Sequence, residues 1–265
     1  MKPLDLNNPF NAPVYHEESV SSTSDVSRNL AAEGKPHGTV ITADFQEAGR
    51  GRSKRSWTAE PGKNLLFTVL LRYGDSSSLP KALTIRAGLA VSLAIEDLVP
   101  RLAGSVEVKW PNDIMIGRRK VAGILTEWDG KTAYIGVGVN VSQREFPDEY
   151  STKAGSIIQS YTDLGENARF VLLEKILSRL YDEIEKHRIG ASPETGSRRE
   201  GWRERLDTRL YKFGEIVTFV YGAPDSGSFV EGILSGIGPE GELLIIPEGE
   251  GTERAFSNGE LRVYS

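Results

Sequence analysis

The sequence predicts an α+β fold, in which a mixed β-sheet flanked by helices is followed by a smaller β-rich domain. Two long segments carry apolar residues at spacings of three and four, the period of a helix that buries one face. Around them lie short runs of β-branched and aromatic residues, which favour strands. Beyond residue 210, short strand-like runs alternate with turns rich in glycine, proline and aspartate. We therefore expect two domains, residues 1–208 and 209–265.

The N-terminal third begins without a clear period, so we expect residues 1–20 to be irregular. A helix is predicted from Ser22, whose hydroxyl suits an N-cap, to about Glu33. A β-prone run at 39–43 follows. Residues 64–71 are almost all apolar, which indicates a strand buried on both faces.

The middle of the chain contains both long helices and most of the predicted strands. The helices are expected over 80–99, between two prolines, and over 167–187, followed by a loop at 190–201. The glycines of the strand at 133–140 allow another group to approach the backbone closely. The remaining strands are expected at 106–110, 114–116, 121–128, 216–221, 229–234 and 243–246.

Composition limits the function classes. The 265 residues contain no cysteine, which excludes disulfides, thiolate metal sites and a cysteine nucleophile. The net charge of −5 argues against a broad electrostatic grip on nucleic acid. The N-terminus lacks the apolar core of a signal peptide, and no window approaches the roughly 20 apolar residues of a membrane helix. We expect a cytoplasmic protein that binds neither nucleic acid nor membranes.

Residues 49–57, which we call the basic loop, contain four cations, two glycines and Trp57. Glycine allows the backbone to approach a ligand, and the planar fork of arginine suits carboxylate and phosphate oxygens. The composition predicts a mobile loop that closes over an anion. The alternative is a solvated basic surface loop.

Three further clusters also have a functional and a structural interpretation. The hydroxyls of residues 22–24 suit either a polar ligand or a helix N-cap. Residues 109–113, Lys-Trp-Pro-Asn-Asp, combine a cation, an amide and a carboxylate at a strand end, although Pro-Asn-Asp also suits an ordinary turn. In residues 120–125, Lys120 is either a partly buried ammonium that binds a carboxylate or a lysine at the mouth of a buried strand.

In this order, these segments resemble the biotin protein ligase family. The matching elements are Ser22-Thr23, residues 46–52 with Trp57, residues 109–113, residues 120–125 and residues 136–140. The resemblance runs from about residue 20 to the end of the chain. It implies a class II synthetase-like catalytic domain of the biotin/lipoate ligase type and a small C-terminal SH3-like β-barrel.

The resemblance implies two-step chemistry. The carboxylate of biotin attacks the α-phosphate of ATP, which gives biotinyl-5′-adenylate and pyrophosphate, with Mg²⁺ on the phosphates. The ε-amine of one lysine on a biotin carboxyl carrier domain then attacks the adenylate, forming an amide and releasing AMP. No residues are expected to form a metal site, and both a monomer and a homodimer are compatible with the sequence.

The resemblance also implies residue roles. Arg52 is expected near the phosphates, Lys120 near the biotin carboxylate, and Asp113 beside the incoming amine as its orienting group or base. Ser22, Thr23 and Gln46 would line the ureido end. Together with the catalytic Asp113, the expected substrate-binding residues are Ser22, Thr23, Gln46, Gly49, Arg50, Arg52, Trp57, Lys109, Asn112, Lys120, Gly136, Gly138 and Asn140.

The chain departs from the family pattern in three places. Ser24 stands where the family often has asparagine, and residues 153–156 lack the aromatic that stacks on adenine in some members. About 20 residues precede Ser22, too few for a DNA-reading domain, so no repressor role is expected. Two alternatives remain: a lipoate–protein ligase, and a non-catalytic nucleotide- or peptide-binding module.

Overall fold

The computed structural model describes residues 1–161, 164–165, 167–185, 201–222 and 227–262. A large mixed sheet forms the centre of the molecule. Its strands are β1 (Lys2–Leu4), β2 (Val14–Val20), β3 (Val40–Gln46), β4 (Leu65–Arg72), β5 (Val106–Lys109), β6 (Asp113–Ile116), β7 (Arg119–Trp128) and β8 (Thr132–Val139). They lie in the order β1-β2-β3-β4-β8-β7-β6-β5, and β2 with β3 is the parallel pair among these neighbours.

Helices cover both faces of this sheet. They are α1 (Thr23–Ala32), α2 (Leu83–Leu98), α3 (Ile157–Ser160), α4 (Ala168–Ile184) and α5 (Gly201–Asp207). α2 and α4 pack against each other, and α2 lies on β5, β6 and β7, whereas α1 lies on β3, β4 and β8. The predicted helices around 22–33, 80–99 and 167–187 are confirmed over their described residues.

The apolar character of α2 reflects its place in the core. The segment Ser76–Leu98 is long and apolar enough to cross a membrane by length and composition, and more than half of its most apolar 18-residue stretch is buried. Within this segment, Ala87, Leu89 and Ala94 have no exposed surface, which is typical of a core helix.

The expectation that residues 1–20 are irregular is wrong. They contain β1 and β2, and β2 pairs with β1 on one side and β3 on the other. β2 reads Val-Tyr-His-Glu-Glu-Ser-Val, and its central residues are partly or fully exposed. A strand near the edge of a sheet, with one open face, does not need the apolar pattern by which buried strands are identified.

The loop prediction at 190–201 is also wrong at its end, because Gly201 lies in α5. The rest of that predicted loop lies outside the described residues. Strand β4 agrees with its prediction, since seven of its eight residues are buried.

The C-terminal region forms a five-stranded antiparallel sheet, which we call the C-terminal sheet. Its strands are β9 (Ile216–Val220), β10 (Phe229–Ile237), β11 (Leu243–Pro247), β12 (Arg254–Phe256) and β13 (Glu260–Arg262), in the order β12-β11-β10-β9-β13. The three predicted strands are confirmed, and β12 and β13 are additional. The described pairings do not join β12 to β13, so closure into a barrel stays a prediction.

The C-terminal sheet is attached to the large sheet beside β5. Trp110 is only 3% exposed; its indole Nε1 donates a hydrogen bond to the Gly241 carbonyl oxygen at 2.9 Å, and its ring centre lies 5.6 Å from that of Phe219. The backbone of Val108 also bonds to Arg209 and Tyr211, at 2.7 and 3.0 Å. The predicted domain boundary at residue 208/209 falls at this attachment and remains a prediction.

Candidate active site

One row of residues crosses five strands on the face of the large sheet that α1 covers. Lys109 is paired with Asp113, Asp113 with Gly123, Gly123 with Gly138, and Gly138 with Leu66. Directly paired residues on adjacent strands face the same side of a sheet. The register therefore brings charged side chains to one end of this row and leaves its centre open at two glycines.

A cluster of buried hydroxyls and the half-buried amide of Gln46 lies at the start of α1. The Gln46 Oε1 oxygen accepts hydrogen bonds from the backbone N–H and the hydroxyl of Thr23, at 2.8 and 3.0 Å. The Thr68 hydroxyl donates to Thr23 Oγ1 at 2.9 Å, and Ser24 Oγ lies 3.5 Å from Thr68 Oγ1. Ser22 is buried and is the N-cap residue, but its side chain makes no capping hydrogen bond. The structure thus joins the predicted Thr23 and Gln46, and adds Thr68.

Two glycines of strand β8 allow the Ser24 hydroxyl and the Trp57 indole to approach its backbone closely. A Cβ atom on Gly136 would lie 3.3 Å from Ser24 Oγ, so this glycine adjoins the hydroxyl cluster. A Cβ atom on Gly138 would lie 2.5 Å from Cε2 of Trp57, a distance that real Cβ atoms do not tolerate. Gly123 on β7 is similarly close to the indole, at 3.0 Å from Cζ3. Trp57 therefore packs against a floor that only glycine permits.

The basic loop folds back on itself as a short hairpin. The Trp57 N–H donates to the Gly49 carbonyl at 2.9 Å, and the Gly51 N–H donates to the Arg55 carbonyl at 2.7 Å. A Cβ atom on Gly49 would lie 2.4 Å from the Trp57 carbonyl oxygen, so a side chain there would prevent this closure. Ser53 at the tip adopts φ = 54°, in the left-handed region.

Each arginine of the hairpin binds a different part of the molecule. Arg50 forms two hydrogen bonds with Asp25 of α1, at 2.8 and 2.7 Å. Arg52 donates to Asn112 Oδ1 at 3.3 Å. These contacts, and a third from Arg55 to the C-terminal sheet, hold the hairpin across the glycine floor. The hydrogen bond from Arg50 also lowers the pKa of Asp25.

Cations and a carboxylate meet at the charged end of the row. Lys120 Nζ lies 2.6 Å from Asp113 Oδ1 and 5.5 Å from the centre of the Trp57 ring. Burial lowers the pKa of Lys109, while the nearby charge of Asp113 acts in the opposite direction. Asn112 is buried, and its side chain donates to the Ile124 carbonyl at 2.8 Å. In addition to the Asp113 carboxylate, a bound anion could contact the cations Arg52, Lys109 and Lys120 at this end of the row.

The side chain of Asn140 stabilises the neighbouring segment around Gly155 through a hydrogen bond. Its side chain donates to the Gly155 carbonyl at 2.9 Å, and its backbone N–H donates to Val121 at 2.8 Å. The backbone of Lys120 bonds to Lys153 and Gly155, at 2.8 and 2.9 Å. Asn140 thus fixes the segment that runs beside Lys120.

The arrangement suits an elongated ligand with a polar head, an apolar body and an anionic tail. The head would meet the hydroxyl and amide cluster, the body would lie by the glycine floor and Trp57, and the tail would meet the cations. The buried indole Nε1 of Trp57 has no hydrogen-bond partner within the described part of the chain. No group of three His, Asp or Glu residues in that part could hold a metal ion.

Comparison with known proteins agrees with this geometry. A sequence model of the biotin/lipoate A/B protein ligase family matches residues 17–141. The chain is 37% identical over 155 residues to the Bacillus subtilis "Bifunctional ligase/repressor BirA", covering 56% of this chain and 46% of that protein. It is 34% identical over 166 residues to the Mycobacterium tuberculosis "Biotin--[acetyl-CoA-carboxylase] ligase", covering 62% and 59%. The chain thus spans about half the length of the Bacillus relative.

Solved structures extend the similarity over nearly the whole chain. An Aquifex aeolicus biotin protein ligase in complex with biotin is similar with a TM-score of 0.76 and 27% identity, covering 94% of this chain and 97% of that one. A Leishmania major biotin protein ligase in complex with biotinyl-5-AMP gives 0.64 and 25%, covering 92% and 98%. Residues 17–141 thus match the biotin/lipoate A/B protein ligase family, and the similarity to the solved biotin protein ligases extends beyond that segment.

Proposed function

We propose that this chain is a biotin protein ligase that activates biotin with ATP and transfers it to a lysine of a biotin carboxyl carrier domain. The observation that carries the proposal is the row from Lys109 to Gly138, which joins a hydroxyl cluster to a cation cluster beneath the basic loop. The Aquifex and Leishmania proteins with biotin and biotinyl-5-AMP support this assignment.

In the first step, two anions must come together. The biotin carboxylate attacks the α-phosphorus of ATP, the bond from that phosphorus to the bridging oxygen breaks, and pyrophosphate leaves. Lys120 and Arg52 would offset the repulsion between carboxylate and phosphates, with Lys109 beside them. Mg²⁺ accompanies the phosphates of ATP and supplies further charge stabilisation. The hydroxyl and amide groups of Thr23 and Gln46 would hold the ureido ring.

In the second step, the amine must lose a proton before it attacks. A lysine ammonium in water has a pKa of about 10.4, so little free amine exists near neutral pH. Asp113 would orient the incoming amine or accept its proton, and it already lies 2.6 Å from the Lys120 ammonium. The amine displaces AMP from the mixed anhydride and forms an amide.

The basic loop would protect the adenylate from water. A mixed anhydride hydrolyses readily, so a site that holds it must exclude solvent. Trp57 covers the glycine floor, and Arg50 and Arg52 hold the hairpin to α1 and to the turn at residues 110–113.

Biotin-dependent exchange of radiolabelled pyrophosphate into ATP tests the first step. We expect exchange with biotin and not with lipoate. Exchange with lipoate alone would identify a lipoate–protein ligase, and exchange with neither would favour a non-catalytic binding module.

Transfer from preformed adenylate to a carrier domain tests the second step. Asp113→Ala should slow transfer by about 100-fold or more, because an oriented acid–base group typically contributes that much. Asp5→Ala, which removes an exposed carboxylate in the N-terminal segment, is the matched control. Normal transfer by Asp113→Ala would remove this residue from the proposed role.

The remaining parts of the proposal rest on sequence. A cytoplasmic location fits the absence of cysteine, and the net charge of −5 fits a protein that does not bind nucleic acid. Sedimentation with and without biotin would distinguish a monomer from a homodimer.

A further inference from the structure

An ion pair joins the C-terminal sheet to the basic loop. The Arg55 guanidinium forms two hydrogen bonds with the Glu260 carboxylate of β13, at 3.3 and 2.8 Å. The two residues are 205 positions apart in sequence. This is a two-pronged arginine–carboxylate contact, which fixes orientation as well as distance.

Glu260 lies within the electrostatic influence of Lys109 and Arg52, two of the cations at the charged end of the site. The hydrogen bonds from Arg55 are the main reason that the pKa of Glu260 is lowered, and the charges of Lys109 and Arg52 act in the same direction. The carboxylate therefore stays ionised at neutral pH, where it can hold the loop.

The fold places Glu260 on a rigid support. β13 pairs with β9, with Glu260 directly opposite Val220. The preceding Gly259 adopts φ = 142°, and a Cβ atom there would lie 2.4 Å from the Phe219 ring. Phe219 in turn packs on Trp110, the residue that attaches the C-terminal sheet beside the turn at 110–113. The site and the carboxylate are thus held by one continuous framework.

The pair is poorly placed to stabilise the fold. The side chains of Arg55 and Glu260 are 67% and 58% exposed. Exposed ion pairs contribute little to the free energy of unfolding, because solvent screens them and both side chains lose freedom. Its geometric effect is different, because it determines where the tip of the basic loop lies.

We infer that Glu260 is a positioning residue, which holds the basic loop closed over the site through Arg55 and so prolongs the lifetime of the bound adenylate. The inference rests on the proposed ligase function. It assigns the C-terminal sheet a task within the catalytic cycle: opening of the loop requires Arg55 to separate from Glu260.

The test measures adenylate lifetime on the full chain. Enzyme loaded with radiolabelled biotin and ATP is freed of unbound ligand and chased with unlabelled biotin, and the loss of bound label is followed. Glu260→Gln and Arg55→Gln should each accelerate the loss by about two- to five-fold, the range expected for an exposed ion pair. Glu250→Gln is the matched control, since Glu250 is an exposed carboxylate near β12 that lies 3.8 Å from Arg254.

Swapping the two charged residues tests whether the change in adenylate lifetime comes from the ion pair itself. The double variant Arg55→Glu with Glu260→Arg should regain most of the lifetime, whereas either change alone should shorten it. Thermal unfolding should be similar in all variants. Adenylate lifetimes equal to the wild type in both glutamine variants would overturn the inference while leaving the ligase function intact. A wild-type protein that forms no adenylate would overturn both.

Discussion

Substitution of Gly138 by alanine probes the packing of Trp57 on β8. The new methyl carbon would lie 2.5 Å from Cε2, 2.8 Å from Cζ2 and 2.8 Å from Nε1 of the indole. Ordinary van der Waals contact begins near 3.4 Å, so the ring must move by about 1 Å. Overpacking of this kind typically costs about 1–3 kcal/mol. Because Trp57 belongs to a surface hairpin, we expect the cost to appear as opening of the basic loop, with little change in global stability.

Hydrogen–deuterium exchange measures this opening without any ligand. In Gly138→Ala, the amides of Gly51 and Trp57, which are bonded within the hairpin, should exchange about 5- to 150-fold faster. The affinity for biotin should decrease by a factor in the same range. Gly251→Ala is the matched control, since a Cβ atom at Gly251 meets nothing within 4 Å and its φ is not positive.

A second variant connects the effect to the indole. Trp57→Ala removes the atoms that the new methyl group would strike, so adding Gly138→Ala to it should cost almost nothing further. Equal exchange rates in wild type and Gly138→Ala, with unchanged biotin affinity, would refute the packing argument.

Three further predictions concern the loop and the hydroxyl cluster. Arg52→Ala should shorten adenylate lifetime relative to the exposed control Arg118→Ala, and an unchanged lifetime would count against its phosphate contact. Gln46→Ala should lower the free energy of unfolding in urea by about 1–3 kcal/mol, since both Thr23 donors lose their acceptor; Gln46→Glu, which keeps an acceptor, should recover most of it. The hydrogen bond from Arg50 lowers the pKa of Asp25 below 3.8 in the folded protein. The protection of the loop amides against hydrogen exchange that this pair provides should therefore be complete above pH 3.8, and it should be lost as the pH falls through the lowered pKa of the folded state. Asp25→Asn should abolish that acid dependence; a loop equally acid-sensitive without the carboxylate would contradict it.

The elements with strong local patterns could be predicted from sequence. The apolar run that became β4 and the period of α2 are properties of adjacent residues, so no tertiary information was needed. β2 could not be predicted in this way, because a partly exposed strand near an edge carries a mixed polar sequence. The described part of α5 spans seven residues, of which Leu206 is the buried one, and this leaves little periodic signal.

The sequence predicted which types of residue lie at the candidate site better than it predicted which residues contact each other there. The motifs predicted which charged residues lie at the candidate site, but the partners of the loop arginines depend on tertiary structure: Asp25 is 25 positions from Arg50, and Glu260 is 205 from Arg55. Thr68 was missed because it lies in an apolar strand, where a hydroxyl looks like another buried β-former. Its contacts with Thr23 and Ser24 place it in the candidate site.

The two glycines of β8 also give the site a length scale. Gly136 adjoins the hydroxyl cluster and Gly138 adjoins Trp57, and residues two apart on a strand are separated by about 7 Å. Since both lie on one rigid strand, this spacing does not adapt to the ligand. In the proposed function, this fixed spacing would favour an acid of one chain length, because the same ligand must contact both the hydroxyl cluster and the cations beyond Trp57.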